Sequence, residues 1–412
     1  MYKKYSNKNV YEVSEDRVNY IFDNFERIYV SFSGGKDSTV MLFLMLEEAK
    51  KRNKKIGLFI VDLEGQYKFT IEHMEKIIDD NVDYLDVYWF CYPISLRNAV
   101  SVYEPKWICW DNDRKNDWIR PLPIHAIIDI SLIPGAYKGI EFEDFILLFG
   151  EWYAQGKETA CCVGIRSDES LNRFRTISTS HKIMKENYKW TTLVTDNVFN
   201  IYPIYDWKTE DIWVYHAKNR DKRYNELYEY MHKAGLTISQ MRICQPYGDD
   251  QRKGLWLFHI IEPETWAKIV SRVNGANSGA LYIQESGNIN GYHKINKPKN
   301  HTWKSFSMMF LNSLPDKTKI HYENKIAIFE KWWIERGYPE GIPDEVNLKL
   351  EMKRDIPSWR RICKTLLRND YWCKGLGFSQ HKNEAYKKYL DLMERRKIEW
   401  RNQGLKIESI KP

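Results

Sequence analysis

The segment Ser33-Gly34-Gly35-Lys36-Asp37-Ser38-Thr39 constrains this chain more than any other, because of what flanks it. An apolar run (Ile28, Tyr29, Val30, Phe32) precedes it, and a run with helical spacing (Val40, Met41, Leu42, Phe43, Leu44, Leu46) follows. Strand, glycine turn and helix in that order present backbone N–H groups and the positive end of a helix dipole to an anion. Adjacent glycines let the backbone turn tightly and approach a phosphate without Cβ clashes. Lys36 adds a point charge, and Ser38 or Thr39 can cap the helix or donate to a phosphate oxygen. The spacing is not that of a Walker A loop, since no glycine precedes Gly35-Lys36 at the required interval.

Strand and helix signals continue to alternate downstream. A helix is expected from Ser14, with Val18, Ile21, Phe22 and Phe25 on one face. Ile56–Val61 reads as a buried strand ending at Asp62, Tyr67–Ile78 as a helix and Tyr84–Phe90 as a third strand. Glu141–Gln155 is helical and stops at Gly156; Thr159–Ile165 is the next strand and ends at Arg166. Val198–Ile204 is one more, running into Trp207, and from Thr209 the pattern is largely helical. This order predicts an α/β fold, a doubly wound and mostly parallel sheet with a mainly helical C-terminal region. Ligands of such sheets bind at the carboxyl ends of the strands, where the Ser33–Thr39 loop and Asp62 are expected. Trp107–Pro123, with three tryptophans and Pro121, breaks the alternation and reads as an inserted loop or lid. Asn274–Asn290, rich in Gly, Asn and Ser, is a boundary or a substrate-facing loop. The expected units are 1–220, an α/β domain that the resemblance described below makes a PP-loop nucleotide-binding one; 221–296, an extension facing substrate or partner; and 297–412, a basic helical region.

Charge and cysteine usage narrow the setting. The seven cysteines are scattered without a CxxC, so reduced thiols are expected and a zinc ribbon is unsupported. No apolar run reaches the length of a membrane span, and Met1-Tyr2-Lys3-Lys4 lacks a signal-peptide core, which points to the cytoplasm and away from a membrane. The net charge of +7 is uneven: from Lys297 onward 25 Lys and Arg face 15 Asp and Glu, while the preceding part is slightly acidic. A basic region with interleaved Trp and Tyr suits nucleic acid or an acidic partner; solvated helix faces explain it about as well.

The Ser33–Thr39 segment resembles the PP-loop, SGGxDS, of the adenine-nucleotide α-hydrolase-like (HUP) superfamily. Three further segments resemble one branch of it, the phosphoadenosine-phosphosulfate (PAPS) reductase-like family, in the family's order: Phe59-Ile60-Val61-Asp62-Leu63-Glu64, Gly164-Ile165-Arg166-Ser167-Asp168-Glu169-Ser170 with Arg173, and Tyr202-Pro203-Ile204-Tyr205-Asp206-Trp207 with Asp211 and Trp213. Gln240–Gly254 and Arg272–Gly279 resemble the immunoglobulin-binding regulator A (IbrA, DUF3440) subfamily of bacteria and phages, which commonly occurs beside a ParB-like nuclease-domain protein.

The PP-loop resemblance implies binding of ATP, or of a PAPS-like adenine nucleotide, with Mg2+, and cleavage between the α and β phosphates to activate an acceptor by adenylation. Lys36, Asp37 and Arg166 are then the catalytic candidates. Ser33, Gly34, Gly35, Ser38, Thr39, Asp62, Gly164 and Arg173 join Lys36 and Asp37 as nucleotide-binding candidates. Asp37 is the candidate metal ligand, since Mg2+ takes one or two carboxylates plus phosphate oxygens; complementing the helix dipole is its simpler role. Asp62 suits ribose hydroxyls or Mg2+, or else a loop cap. Glu169, Arg242, Gln245, Asp250, Arg252 and Lys253 are candidates for substrate recognition, and Asp168 and Glu169 can equally pair with the arginines. A core position is the simpler reading of Trp207.

One departure from the PAPS reductases bears on chemistry. Those enzymes use a cysteine near the C-terminus, and Gly404–Pro412 holds none. Cys161-Cys162, within a strand, reads as a pair of buried small hydrophobes rather than a cluster ligand. Two other functions stay open: a PAPS reductase or sulfotransferase-like reaction through Cys244 or a distant thiol, and a nucleotide-sensing regulator that binds nucleic acid.

Overall fold

The computed structural model of the chain describes residues 7–101, 104–179, 182–245, 247–248, 254–273, 297–314, 316–353, 356–368 and 370–378. Helix α1 (Val10–Asn24) begins earlier than expected from Ser14. Asn9 accepts from the Glu12 N–H and Glu12 accepts from the Asn9 N–H, both at 3.0 Å, so a capping box starts the helix there. Ser14 lies buried inside it and accepts from Trp207 Nε1 at 2.8 Å.

Strand β1 (Arg27–Ser31), helix α2 (Lys36–Lys51), β2 (Ile56–Val61), α3 (Lys68–Asp80) and β3 (Leu85–Phe90) follow the expected alternation. Short strands β4 (Ser95–Arg97) and β5 (Lys106–Ile108) pair antiparallel in a small sheet of their own. The chain continues through β6 (Ala126–Ile127), α4 (Phe142–Ala154), β7 (Thr159–Val163), α5 (Leu171–Ser178), β8 (Thr191–Leu193), β9 (Val198–Ile201), α6 (Thr209–Lys218) and α7 (Leu227–Lys233). Beyond these lie α8 (Leu255–Ile261), α9 (Pro263–Arg272), α10 (Trp303–Asn312), α11 (Asp316–Ile334), α12 (Leu348–Lys353) and α13 (Trp359–Leu367).

The main sheet has the order β6-β3-β2-β1-β7-β9-β8 and is parallel except for β8, which runs antiparallel to β9. The winding reverses at β1: β2, β3 and β6 lie on one side of it, and β7 and β9 on the other. The crevice between the carboxyl ends of β1 and β7 is therefore the switch point where ligands of such sheets bind. β7 and β9 stop short of the expected Ile165 and Ile204, because the chain turns at once: the Ile165 N–H reaches the Val163 carbonyl (2.8 Å) and the Tyr205 N–H reaches that of Tyr202 (3.3 Å).

Much of the aromatic content is buried against this sheet. Phe59 on β2 stacks on Phe149 of α4 at 3.9 Å, and Tyr29, Phe90 and Tyr153 meet Phe149 within 5.7 Å. The same core reaches into α7, α8 and α9 through Leu227, Met231, Phe258 and Ile269. A second core, from Trp303 to Leu376, ties α10, α11 and α13 together and holds Cys363 and Cys373. The Asn274–Asn290 segment lies outside the described residues. No helix among those described is long and apolar enough to cross a membrane.

Trp107–Pro123 is not an open lid. Trp107, Trp110 and Ile119 are buried, and the segment is pinned to the end of β2 by hydrogen bonds to Asp62 and Glu64.

Candidate functional site

A cleft of about 420 Å3 opens at the β1/β7 crevice. Its floor is the loop that joins β1 to α2. Gly34 has φ of +70°, and a Cβ there would lie 2.8 Å from Thr70 Cγ2, so turn and packing both require glycine. Gly35 is the N-cap of α2 and lends no side chain to the first turn.

Lys36 is buried in the first turn. Its ammonium lies 3.2 Å from Asp37 and 3.3 Å from the Met241 carbonyl, with the Tyr228 ring 5.6 Å away. Burial pulls the ammonium's pKa down from its ordinary value, and Asp37 offsets only part of that. A desolvated cation at a helix N-terminus is a site that an incoming phosphate would relieve.

The second wall comes from the segment after β7. A Cβ on Gly164 would stand 3.0 Å from Ser38 Cα, so only glycine lets this wall close on the first turn of α2. Arg166 is 1% exposed. Its Nε donates to Asp37 at 2.5 Å, and its remaining nitrogens reach the Trp207 carbonyl and Thr209 Oγ1 at 3.4 Å. The segment from Tyr202 to Trp207 thus serves the site indirectly, by holding Arg166. Trp207 itself is core, donating to the Val10 carbonyl and Ser14.

Glu169 pairs with Arg173, and Arg242 donates to the Glu169 carbonyl at 3.1 Å. Glu169 Oε1 is buried, 3.7 Å from Arg166 Nε, and has no hydrogen-bond partner among the described residues. Asp168 is exposed at the rim, 3.8 Å from Arg166. Four cations (Lys36, Arg166, Arg173, Arg242) and three carboxylates (Asp37, Asp168, Glu169) therefore line one cleft, which suits a charged ligand carrying its own metal ion.

Several expected residues lie elsewhere. Thr39 does not face the cleft: it is fully buried, and its hydroxyl lies 3.1 Å from His73 Nε2 on α3. Adjacent helical positions point in directions about 100° apart, so Ser38 faces the cleft and Thr39 turns away. Asp62 is fully buried, and its carboxylate accepts from Arg120, Trp89, Trp110 and the Glu64 N–H. Those partners occupy both oxygens; Asp62 caps its loop and pins the insertion instead of meeting ribose or Mg2+. Gln245 is half-buried and outside the cleft lining. Asp250, Arg252 and Lys253 lie outside the described residues.

Residues that sequence reasoning passed over complete the site. Tyr228 accepts the Lys36 N–H at 2.9 Å, and Asn225 donates to the Gly34 carbonyl at 3.1 Å. Both belong to a stretch with no motif, and nothing local to it signals their role. Cys244 lines the cleft and is the one cysteine that is not buried. Cys161 and Cys162 are interior on β7, and burial drives both thiols up, Cys161 to about 12, so neither is a thiolate at neutral pH.

Known proteins place the chain. The model of the phosphoadenosine phosphosulfate reductase domain matches residues 27–234, and that of a domain of unknown function, DUF3440, matches 235–340 and 339–387. The uncharacterized protein YbdN of Escherichia coli K12 is 40% identical over 397 residues, 95% of this chain and 96% of that protein. The uncharacterized protein MJ0066 of Methanocaldococcus jannaschii is 27% identical over 52% of this chain and 36% of its own length. A phosphoadenylyl-sulfate reductase of Candida auris, solved as a phosphate complex, aligns with 55% of this chain and 93% of its own at 12% identity, with a TM-score of 0.26. The chain belongs to the phosphoadenosine phosphosulfate reductase domain family, with that domain followed by DUF3440.

Proposed function

We propose that this protein is a PP-loop enzyme that binds ATP in the β1/β7 cleft and cleaves it between the α and β phosphates. The observation that carries this reading is the buried Lys36 at the α2 N-terminus, facing Arg166 across the Asp37 carboxylate. In this reading the first turn of α2 and Lys36 hold the departing pyrophosphate, and Arg166 holds the α-phosphate as negative charge shifts. Asp37 orients both cations. An acceptor nucleophile attacks the α-phosphorus, the bond to the bridging oxygen breaks, and pyrophosphate leaves from an adenylated acceptor.

Mg2+ fits the donor set: Asp37 and Glu169 flank Arg166 Nε, and Glu169 Oε1 has an unused acceptor position. When bound, the ion would neutralise charge on the phosphates. A ParB-like protein of the kind the IbrA resemblance implies would present the acceptor, and the basic C-terminal region would meet nucleic acid. Purified protein with α-phosphate-labelled ATP and Mg2+, with and without such a partner, should yield labelled AMP or an adenylated product, lost in Lys36→Ala. No turnover under any of these conditions rejects the reading.

A second reading rests on Cys244 in the cleft lining. Its thiolate would attack the sulfur of an adenylyl sulfate, forming S-sulfocysteine and releasing the adenosine phosphate, and an external dithiol would then release sulfite. A mass increase on Cys244 after incubation with PAPS, absent in Cys244→Ser, would select this reaction over ATP cleavage.

A further inference from the structure

A second cavity, of about 620 Å3, lies between α3, α6 and the segment leading to α7. It is larger than the cleft and shares no lining residue with it. We propose that this cavity is a binding site for a nucleoside monophosphate.

Its floor is polar and unsatisfied. His216 is 7% exposed, and neither ring nitrogen makes a well-formed hydrogen bond among the described residues, the Lys36 backbone being the polar group beside it. Trp213 Nε1 is also buried without a hydrogen-bond partner among the described residues. Burying such a group without a bond is unfavourable, and a cavity beside them is where a ligand would supply the missing bonds. Burial pulls His216 down to about 4, so at neutral pH the ring offers one donor and one acceptor, the pair that the edge of a nucleobase complements.

The walls and rim favour the rest of a nucleotide. Phe69 and Trp213 provide aromatic surface for a planar base. Lys76 and Arg220 are exposed at the rim, and neither forms an ion pair among the described residues. Three glutamates, Glu72, Glu226 and Glu229, also line the rim. They disfavour a polyanion and suit a ligand with one phosphate, a hydroxylated sugar and an aminated base. The volume lies within the usual range for small-ligand sites, roughly 300–1,000 Å3.

The cavity also touches the reactive loop from behind. His73 in its wall bonds Thr39, and Trp213 packs edge-on against Tyr228, which holds the Lys36 N–H. Occupancy would therefore be felt at the first turn of α2.

Equilibrium dialysis of the full chain with labelled AMP, GMP, CMP and UMP tests the proposal. The Lys36→Ala background weakens the contribution of the cleft, and binding there is insensitive to the rim substitutions below. One equivalent of at least one nucleotide should bind, and Lys76→Glu with Arg220→Glu should weaken it by about tenfold or more, since each loses a charge-assisted bond at an exposed position that folding does not need. Absence of saturable binding at about millimolar nucleotide, or binding indifferent to the rim substitutions, overturns it.

Discussion

Arginine–carboxylate pairs stand at the carboxyl ends of two neighbouring strands, one after β1 and two after β2, and the two sets do different work. After β1, Asp37 pairs with Arg166 beside an open cleft, and its side chain is 17% exposed. After β2, Asp62 and Glu64 pair with Arg120 and Arg272, and both acids are fully buried. Glu64 alone accepts from Arg272 (2.8 Å), the Trp110 N–H (2.6 Å) and the Ile119 N–H (3.1 Å). The pair after β1 keeps charge beside an open cleft; the two after β2 seal charge into a joint between the sheet, the 107–123 insertion and α9. Similar residues at similar places on a sheet are separated by how many partners they already have.

The largest expected effect tests the sealed pair. Glu64→Ala leaves Arg272 buried without its carboxylate, which should cost about 3–5 kcal/mol, read as a lowered urea midpoint. A variant as stable as wild type would remove the distinction drawn here. At the open pair the balance should invert. Lys36→Met should lower ATP turnover by about 10²–10³-fold while stability holds or rises, because a cation whose pKa is depressed by burial opposes folding. A drop in the urea midpoint matching that of Glu64→Ala would make Lys36 structural as well.

A smaller effect concerns acid, and it sharpens what lies behind the loop. Burial pulls His73 down to about 3 and His216 to about 4. Below the ordinary value of 6.5 the unfolded chain takes protons that the folded chain refuses, so stability is complete above that pH and falls as pH drops toward 4. The slope should approach about 1.4 kcal/mol per pH unit for each histidine. His73→Gln should remove its share in urea titrations between pH 6.5 and 4; an unchanged slope would mean that His73 titrates normally. The smallest effect separates neighbours on one turn. Thr39→Val should cost about 1 kcal/mol through its lost bond to His73 and leave nucleotide affinity intact, whereas Ser38→Ala should weaken nucleotide binding. Equal affinity losses would put Thr39 back in the cleft.

Much of the site was legible because its residues are local. The Ser33–Thr39 loop carries its strand, its turn and its helix within one stretch, and Gly164 and Arg166 directly follow a recognisable apolar strand. Asp62 stayed open between ligand binding and a loop cap for the same reason: its position at a strand end is local, but its partners Trp89, Trp110 and Arg120 are not. Tyr228, Asn225 and Arg272 carry no local signal, since their roles depend on contacts across about 190–210 residues of sequence. The Ser14 start of α1 failed in a milder way, because a Ser before an apolar face resembles a cap until Asn9 and Glu12 are seen to close their box.

By itself the sequence determined the alternation of strands and helices, the glycine turn after β1 and the cations beside it, all products of hydrophobic period and residue placement. Tertiary structure alone decided which carboxylates stay open to a ligand, which tyrosine holds the Lys36 amide, and that a second cavity lies behind the loop. Those outcomes rest on burial and on partners brought together by folding, and neither is a property of any short stretch of chain.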